Sequence, residues 1–289
     1  MLDFVGQAGP VERFDSGGKP SALLSAAGER GDFRVILNAH LDVVPAPPEQ
    51  FRPRRDGNRL FARGAQDMKV SALVAAQVFR EMAGQLPYPV ALQLVTDEEV
   101  GGRDGTWYQL DRGVRGQFVI IGETSGLRVR YPVATEEVWR TTLTVARVCT
   151  GNLARNQVPA EAEAWLDIRY PAGDTDFHGQ SADEITAYLA GFCEPGVTAV
   201  VDRVDPPHHV DPDHRDVLRL QHAARAQGYS GDLLRKHGAG DGRFYGQLDM
   251  AAVAFGVGGS GQHGPREYAD ITTIEPYYRA LREFLGALT

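Results

Sequence analysis

The chain has 289 residues, of which 43% are hydrophobic and 24% are charged, and its formal net charge is −8. This is the composition of a globular protein, and the length allows one large domain or a core domain with a smaller one. The acidic balance argues against nucleic acid, because binding to a polyanion depends on clustered lysine and arginine.

Residues 1–15 lack the basic start and apolar stretch of a secretory signal, and no apolar run is long enough to cross a bilayer. These features predict a cytoplasmic protein with no membrane partner. Cys149 and Cys193 are far apart and belong to no C-x-x-C pair, so neither a thiolate zinc site nor a redox motif is indicated. We expect reduced, mostly buried thiols.

The first predicted strands lead to a polar triplet. Segments 21–26 and 34–38 are expected to be strands joined by a turn, and the second runs into His40 and Asp42. In open α/β sheets ligands collect outside the carboxyl ends of strands, where an H-x-D spacing puts both side chains on one side. One of them can bind a metal while the other orients its loop or imidazole. The alternative is a strand-end histidine paired with a turn acid.

An acidic residue also precedes the first long predicted helix. Segment 45–63 is rich in proline and turn residues, which predicts an ordered loop. The apolar spacing over 70–82 predicts a helix, so Asp67 lies at or just before its N-terminus. The alternative for Asp67 is a helix N-cap.

Two further strand ends carry carboxylates. A strand over 90–95 leads to Glu98 and Glu99, and a strand over 117–121 leads to Glu123. One histidine and at least four carboxylates are therefore expected at one rim of a sheet. So close a cluster would repel itself unless cations neutralised it, and a mixed histidine and carboxylate set suits Zn²⁺ or Mn²⁺. The sequence predicts a metal site.

The second half of the chain predicts a small domain followed by a return to the first. We predict a β-β-α-β unit, with strands over 143–148 and 162–170, a helix over 181–192 and a strand over 197–204. The chain then continues with a linker over 205–214, a helix over 216–227 and a glycine-rich turn over 237–248. After these we expect a strand over 251–257, a loop with His263 and a helix over 273–287. The predicted domain boundaries are 1–133 and 207–289 for the first domain and 134–206 for the small one. His208 and His209 are expected in the solvated linker, with a stray metal site as the alternative, and His237 either lines a pocket or packs in its loop.

Five ordered motifs resemble those of the M20 family of metallopeptidases and deacylases, which includes acetylornithine deacetylase, succinyl-diaminopimelate desuccinylase, aminoacylase and glutamate carboxypeptidase. They are HLDVVP at 40–45, RGAQDMK at 63–69, TDEEVGG at 96–102, GET at 122–124 and QHGPREY at 262–268. The resemblance implies an α/β fold: a zinc-peptidase-like catalytic domain with a central mixed sheet flanked by helices, and a smaller α+β lid domain. It also implies two zinc ions, with cobalt or manganese as alternatives.

The resemblance implies a role for each matching residue. His40 and Glu123 would hold one ion, Glu99 and His263 the other, and Asp67 would bridge both. Asp42 would orient His40, and Glu98 would be the general base that takes a proton from a metal-bridging water, so that hydroxide attacks the amide. Substrate contacts are implied for Asn156, Arg169, Gly238 and Arg243. For Arg169 the alternative is an ion pair on a strand surface.

The chain departs from the family pattern between Tyr131 and Thr141. The first strand and helix of a family lid are missing, together with a histidine that helps to stabilise the oxyanion. A homodimer is left open, and the shortened lid argues against it. The leading hypothesis is metal-dependent hydrolysis of an amide in an N-acyl amino acid or small peptide, by an amidohydrolase or metallopeptidase. The alternatives are an amide-forming acyl transferase on the same scaffold and a metal-binding, catalytically weak family member.

Overall fold

The structure is a computed structural model that describes residues 1–6, 9–26, 32–130, 140–151, 156–171, 173–234 and 240–288. The chain divides into two compact units, of which the first comprises Met1–Pro132 with His208–Thr289 and the second comprises Val133–Pro207. Among the described residues, no helix has the length and apolar character that a membrane crossing requires.

The strands and helices of the described residues are numbered in chain order. The strands are β1 (Val11–Ser16), β2 (Lys19–Ser25), β3 (Asp32–His40), β4 (Arg54–Asp56), β5 (Arg59–Phe61), β6 (Val90–Val95), β7 (Arg115–Ile121), β8 (Val129–Arg130), β9 (Thr142–Thr150), β10 (Ala162–Arg169), β11 (Leu233–Leu234), β12 (Ala251–Ala254), β13 (Gly259–Ser260) and β14 (Tyr268–Asp270). The helices are α1 (Leu2–Val5), α2 (Val70–Met82), α3 (Tyr108–Asp111), α4 (Ala182–Ala190), α5 (Arg215–Ala226), α6 (Gly242–Gly246) and α7 (Ile274–Gly286).

The first unit is built on a mixed sheet. Its described strands follow the order β1-β2-β6-β3-β7-β12-β8-β11. Strands β6, β3, β7 and β12 run parallel, whereas β1 and β2 join antiparallel at one edge. Helices α2, α5 and α7 flank this sheet, and α7 contacts both of the others. The predicted fold class, a central mixed sheet flanked by helices, is confirmed.

Hydrophobic patterning explains the central strands. All six residues of β6 are buried, and so are the last eight of β3, as expected for strands covered on both faces. Ile36, Val119 and Phe244 belong to the core that packs there. The predicted bounds of the helix at 70–82 and of the strand at 90–95 agree with α2 and β6.

The prediction of a loop over 45–63 was wrong in part. Strands β4 and β5 lie in this segment and pair antiparallel across a turn at Gly57, which has φ of 55°. Strand β5 also pairs with β14, which comes about 200 residues later. The pairing is long-range, so the local abundance of proline and arginine did not reveal it.

The second unit contains an antiparallel pair, β9 and β10, with a register shift between Trp165 and Leu166. Helix α4 begins with a capping box, in which Ser181 and Glu184 satisfy each other's backbone N–H groups. The predicted strand over 197–204 was wrong: these residues form no ladder with any described strand, and the backbone N–H of Val201 donates to the hydroxyl of Thr186 instead. Cys149 and Cys193 are free, as expected, but half-buried rather than buried.

Candidate metal centre

The carboxyl ends of three parallel strands carry the predicted site residues. Strand β3 ends at His40, strand β6 is followed by the 3-10 turn of Glu98 and Glu99, and strand β7 is followed by Glu123. The register pairs His40 with Val95 and Asn38 with Ile121, so the three ends lie side by side at one rim of the sheet. This is where ligands bind in open α/β sheets.

Asp67 lies at the centre of the cluster. It precedes α2 in the turn Ala65–Lys69 and makes no side-chain cap to that helix, so the N-cap alternative is wrong. Its Oδ1 is 2.9 Å from His40 Nε2, and its Oδ2 is 3.0 Å from His263 Nε2. Each carboxylate oxygen therefore faces a different histidine, although His263 is 196 residues away in the sequence.

Each of these histidines also faces a glutamate. His40 Nε2 lies 3.3 Å from Glu123 Oε1, and His263 Nε2 lies 3.1 Å from Glu99 Oε2. The five predicted ligands thus form two histidine–glutamate pairs with Asp67 between them. His263 adopts a φ of 61°, which is uncommon for a residue other than glycine and is held by the turn between β13 and β14.

Asp42 contacts both halves of the cluster. Its Oδ1 is 3.4 Å from His40 Nδ1, and its Oδ2 accepts a hydrogen bond of 3.0 Å from the backbone N–H of Glu99. The backbone carbonyl of Asp42 is 3.2 Å from the same Nδ1. Such contacts fix the orientation of the imidazole so that Nε2 points at the cluster.

The cluster perturbs the titration of its own members. Burial alone would lower the pKa of His40, but hydrogen bonds to Asp42, Asp67 and Glu123 raise this pKa well above its ordinary value. Burial would raise the pKa of Asp67, but the hydrogen bond from His40 lowers this pKa to about 2. Burial and the charge of Asp67 raise the pKa of Glu99. These shifts favour a charged His40 ring beside the Asp67 carboxylate when no cation is bound.

Glu98 faces the same cluster, with a carboxylate oxygen within 4.8 Å of ligand atoms from His40 and Glu123. Burial, followed by the charges of Asp241 and Glu123, raises its pKa to about 9. Asp241 is fully buried, and burial raises its pKa to about 7. Its Oδ2 accepts a hydrogen bond from Thr106, whereas its Oδ1 accepts none from any described residue.

The donor set fits divalent cations. Ligand atoms of His40, Asp67 and Glu99 lie within 4.8 Å of one another, and so do those of His40, Glu98 and Glu123. Imidazole nitrogens with carboxylate oxygens are ligands that zinc accepts, and they also suit manganese and cobalt. The two groups share His40.

The described residues among the predicted substrate contacts belong to different units of the chain. Arg243 is buried, and its guanidinium donates to the carbonyls of Gly240 and Gly101 at 2.7 and 2.8 Å. In the second unit Asn156 is exposed, and Arg169 pairs with Asp167 at 2.9 Å on the strand surface, as the alternative reading expected. Gly238 and His237 lie outside the described residues.

Sequence reasoning missed some residues around the cluster. Arg63 and Glu267 were quoted within two motifs but received no role, and they form a buried ion pair. His208 was expected in a solvated linker, but its Nε2–H donates to the carbonyl of Ala252 at 2.8 Å and its ring packs on Gly242. Long-range pairs of this kind leave no local pattern in the sequence.

The model of peptidase family M20/M25/M40 matches residues 36–287. The chain belongs to this family. Among curated relatives, it is 25% identical to a succinyl-diaminopimelate desuccinylase of Acidovorax ebreus over 365 aligned positions, which cover 96% of the chain and 89% of the relative. Because the aligned length exceeds 289 positions, the desuccinylase has residues without a counterpart here.

Solved structures of the family share the fold at low identity. The M20 family metallo-carboxypeptidase Sso-CP2 of Sulfolobus solfataricus has a TM-score of 0.75 at 15% identity, with 98% of this chain and 91% of that chain covered. Bacillus subtilis YXEP, a dinuclear metal-binding peptidase of the M20 family, has a TM-score of 0.62 at 16% identity, with 99% and 90% covered.

Proposed function

We propose that this member of the M20 family is a dinuclear metal amidohydrolase that cleaves the amide bond of an N-acyl amino acid or small peptide. One observation carries the proposal: the two oxygens of Asp67 face two separate histidine–glutamate pairs. A single carboxylate placed in this way is suited to bridge two cations. The name of the desuccinylase relative supports an N-acyl amino acid as the substrate class.

In this proposal His40 and Glu123 would hold one ion, and Glu99 and His263 would hold the other, as the distances within the two histidine–glutamate pairs support. Zinc is the first choice, with cobalt or manganese as alternatives, since affinity alone does not select the metal. When bound, two such ions acidify the water between them and polarise the carbonyl of the amide. Asp42 supports both sides by holding the His40 ring and the backbone of Glu99.

Glu98 is suited to move the proton. It lies next to the ligands without being one of the five, and its carboxylate faces the same space. As general base it takes a proton from the attacking water and returns this proton to the departing amine. In the cation-free protein, burial and then the charges of neighbouring carboxylates raise the pKa of Glu98 to about 9. Cations beside Glu98 would favour its charged form.

The test is the substitution Glu98→Gln, which keeps the size of the side chain and removes the base. We expect it to retain both ions and to lower turnover by about 10²–10⁴-fold, the usual contribution of a general base. The matched control is Glu275→Gln on the exposed face of α7, where Glu275 pairs with Arg279. Its turnover should equal that of the wild type. Near-normal turnover of the Glu98 variant would remove Glu98 from this role.

A substrate screen tests the reaction class. N-acetyl, N-succinyl and dipeptide substrates would be assayed with metal analysis, with and without a chelator. Hydrolysis that is lost with chelation and restored by Zn²⁺ is expected. Hydrolysis that survives complete removal of the ions would contradict the mechanism. Bound ions without turnover would indicate the catalytically weak alternative, and amide formation with added amines would indicate the acyl transferase.

A further inference from the structure

Arg63 and Glu267 form a buried ion pair next to the turns that carry Asp67 and His263. An Nη1–H group of Arg63 donates to Glu267 Oε2, and the two side chains are only 3% and 1% exposed. Neither residue is among the ligand candidates of the described structure. The partners are 204 residues apart in the sequence, so the pair joins distant parts of the chain.

The Glu267 end of the pair holds the bridging residue. Its second oxygen, Oε1, accepts hydrogen bonds from the backbone N–H groups of Gln66 and Asp67 at 3.0 and 3.1 Å. The turn that carries Asp67 is therefore fixed through its backbone, while the Asp67 carboxylate faces the two histidines and accepts a hydrogen bond from the Gln262 side chain. Charge-assisted hydrogen bonds of this type are stronger than those between neutral groups.

The Arg63 end of the pair holds the histidine turn. Its Nη2 donates to the carbonyl of Gly264 at 3.1 Å, next to His263, and to Gln50 Oε1 at 3.2 Å. His263 needs such support, because its side chain is 48% exposed and its backbone adopts a φ of 61°. His40, by contrast, is 1% exposed at the end of a central strand.

We propose that the Arg63–Glu267 pair is a positioning device that sets the distance between Asp67 and His263, and that it controls binding of the ion at Glu99 and His263 more than binding of the ion at His40 and Glu123. His40 and Glu123 lie at the ends of β3 and β7, and the hydrogen bonds of Arg63 and Glu267 among the described residues go to other parts of the chain. This inference rests on the proposed function. It adds two positioning residues that act through the ligands.

Two substitutions remove the device in different ways. Glu267→Gln keeps the side-chain volume and one carbonyl oxygen but leaves the Arg63 charge without a carboxylate. Arg63→Lys keeps the charge, but a lysine ammonium cannot reproduce the planar fork that serves Glu267 and Gly264 together. If one variant fails to fold, the other still tests the proposal.

The matched control is Asp216→Asn. The Arg34–Asp216 pair lies in the same unit, is also buried, with side chains 7% and 3% exposed, and joins residues 182 positions apart. Arg34 lies six residues before His40 on β3, about 20 Å from the cluster at ~3.3 Å per residue. A change that merely reflects a broken buried ion pair would therefore occur in this control as well.

The experiment titrates Zn²⁺ into metal-stripped full-length protein against a chromophoric chelator, and denaturant unfolding of the same samples is recorded. The wild type and Asp216→Asn should each bind two ions, and the affinity for each ion should be the same in both proteins. Glu267→Gln and Arg63→Lys should bind the weaker ion about 10–100-fold less tightly, the usual effect of losing a residue that orients metal ligands. Their stronger ion should keep its affinity within about threefold.

Three outcomes would overturn the inference. Both variants could bind two ions with wild-type affinities, both ions could weaken equally, or Asp216→Asn could weaken ion binding as much as Glu267→Gln does. Fewer than two ions in the wild type would contradict the proposed function itself and this inference with it. Two ions in the wild type, with unchanged affinities in Glu267→Gln and Arg63→Lys, would contradict the inference alone.

Discussion

Asp42 contacts residues of both histidine–glutamate pairs in the candidate metal centre. One of its oxygens faces the His40 ring and the other accepts the backbone N–H of Glu99. Burial would raise the pKa of Asp42, but the hydrogen bond and charge of His40 lower it, so the group is a carboxylate at neutral pH. An amide in its place would have only one acceptor oxygen for two donors.

We predict that Asp42→Asn lowers ion affinity by about 10–100-fold, as is usual for residues that orient metal ligands. Turnover at saturating Zn²⁺ should fall less than in Glu98→Gln, because Asp42 moves no proton in the proposed reaction. Chelator competition measures the affinity. Asp15→Asn, at an exposed position of β1, is the control. If the ion affinity of Asp42→Asn is unchanged, the backbone contacts of residue 42 are sufficient to orient the His40 ring, and the carboxylate is not needed for this.

The sequence indicated the candidate ligands at strand ends, but it did not indicate the residues that hydrogen-bond to the turns of Asp67 and His263. His40, Glu99 and Glu123 follow apolar strands, and the parallel arrangement brings such ends together. Arg63 and Glu267 are local neighbours of Asp67 and His263 but are 204 residues from each other. Their pairing depends on the folded sheet, so no periodic pattern reveals it.

At the scale of elements, the packing of His208 connects α6 with β12. The ring covers Gly242, where a Cβ atom would lie 2.3 Å from His208 Nδ1, and Nε2–H donates to Ala252. Burial lowers the pKa of His208 from 6.5 to about 4, and nearby His209 also lowers it. Protonation would place a charge on a nitrogen that faces the backbone of α6.

We predict a pH-dependent loss of stability from this histidine. Above pH 6.5 the ring is neutral in both states, and as pH falls towards about 4 only the unfolded state takes up the proton. The free energy of unfolding should therefore decrease over this window by up to about 3 kcal/mol, with no further change below it. Urea unfolding across the window measures the slope.

The control is His208→Gln, which retains an N–H donor for Ala252 but does not titrate. The difference in unfolding free energy between wild type and variant should depend on pH only in the window where the unfolded histidine titrates. Other titrating groups contribute to both proteins and cancel in this difference. A difference that does not change with pH would show that His208 has the same pKa in the folded protein as in the unfolded chain.

Elements with a strong local pattern were predicted well, and short or long-range ones were not. The apolar spacing of α2 and the uninterrupted apolar run of β6 gave their bounds. Strand β5 has three residues and depends on β14 from the far end of the chain, so it was missed. The segment 197–204 is rich in valine, but no described strand pairs with it, and strand propensity alone does not form a ladder.

At the scale of the whole molecule, the two units differ in how much apolar surface they bury. Leu143, Val145 and Leu166 of the second unit are about half exposed, at 55%, 55% and 48%. A sheet of two strands is marginally stable without further covering. The shortened lid stays a prediction.

We predict that the second unit opens more easily than the first. Backbone amides of β9 and β10 should exchange with solvent at least ~100-fold faster than those of β3 and β6, a difference of about 3 kcal/mol in opening free energy. Hydrogen–deuterium exchange with peptide resolution measures both in one sample. Equal protection of the two sheets would show that β9 and β10 are covered in solution, for example by a second copy of the chain.

The stability of the first unit should depend on the ions. Cations that bind only the folded protein stabilise it by about 2.7 kcal/mol at a free concentration 100-fold above Kd, which raises Tm by roughly 5–10 °C for a protein of this size. The pKa of His40 is raised well above its ordinary value by hydrogen bonds to carboxylates, so ions displace a proton and the gain in Tm should increase from pH 6 to pH 8. Thermal unfolding with chelator and with Zn²⁺ measures the gain, and Asp67→Asn, which lacks the bridging carboxylate, should lose most of it. Identical Tm values with chelator and with Zn²⁺ would mean that the crowded carboxylates bind no ion in the folded protein.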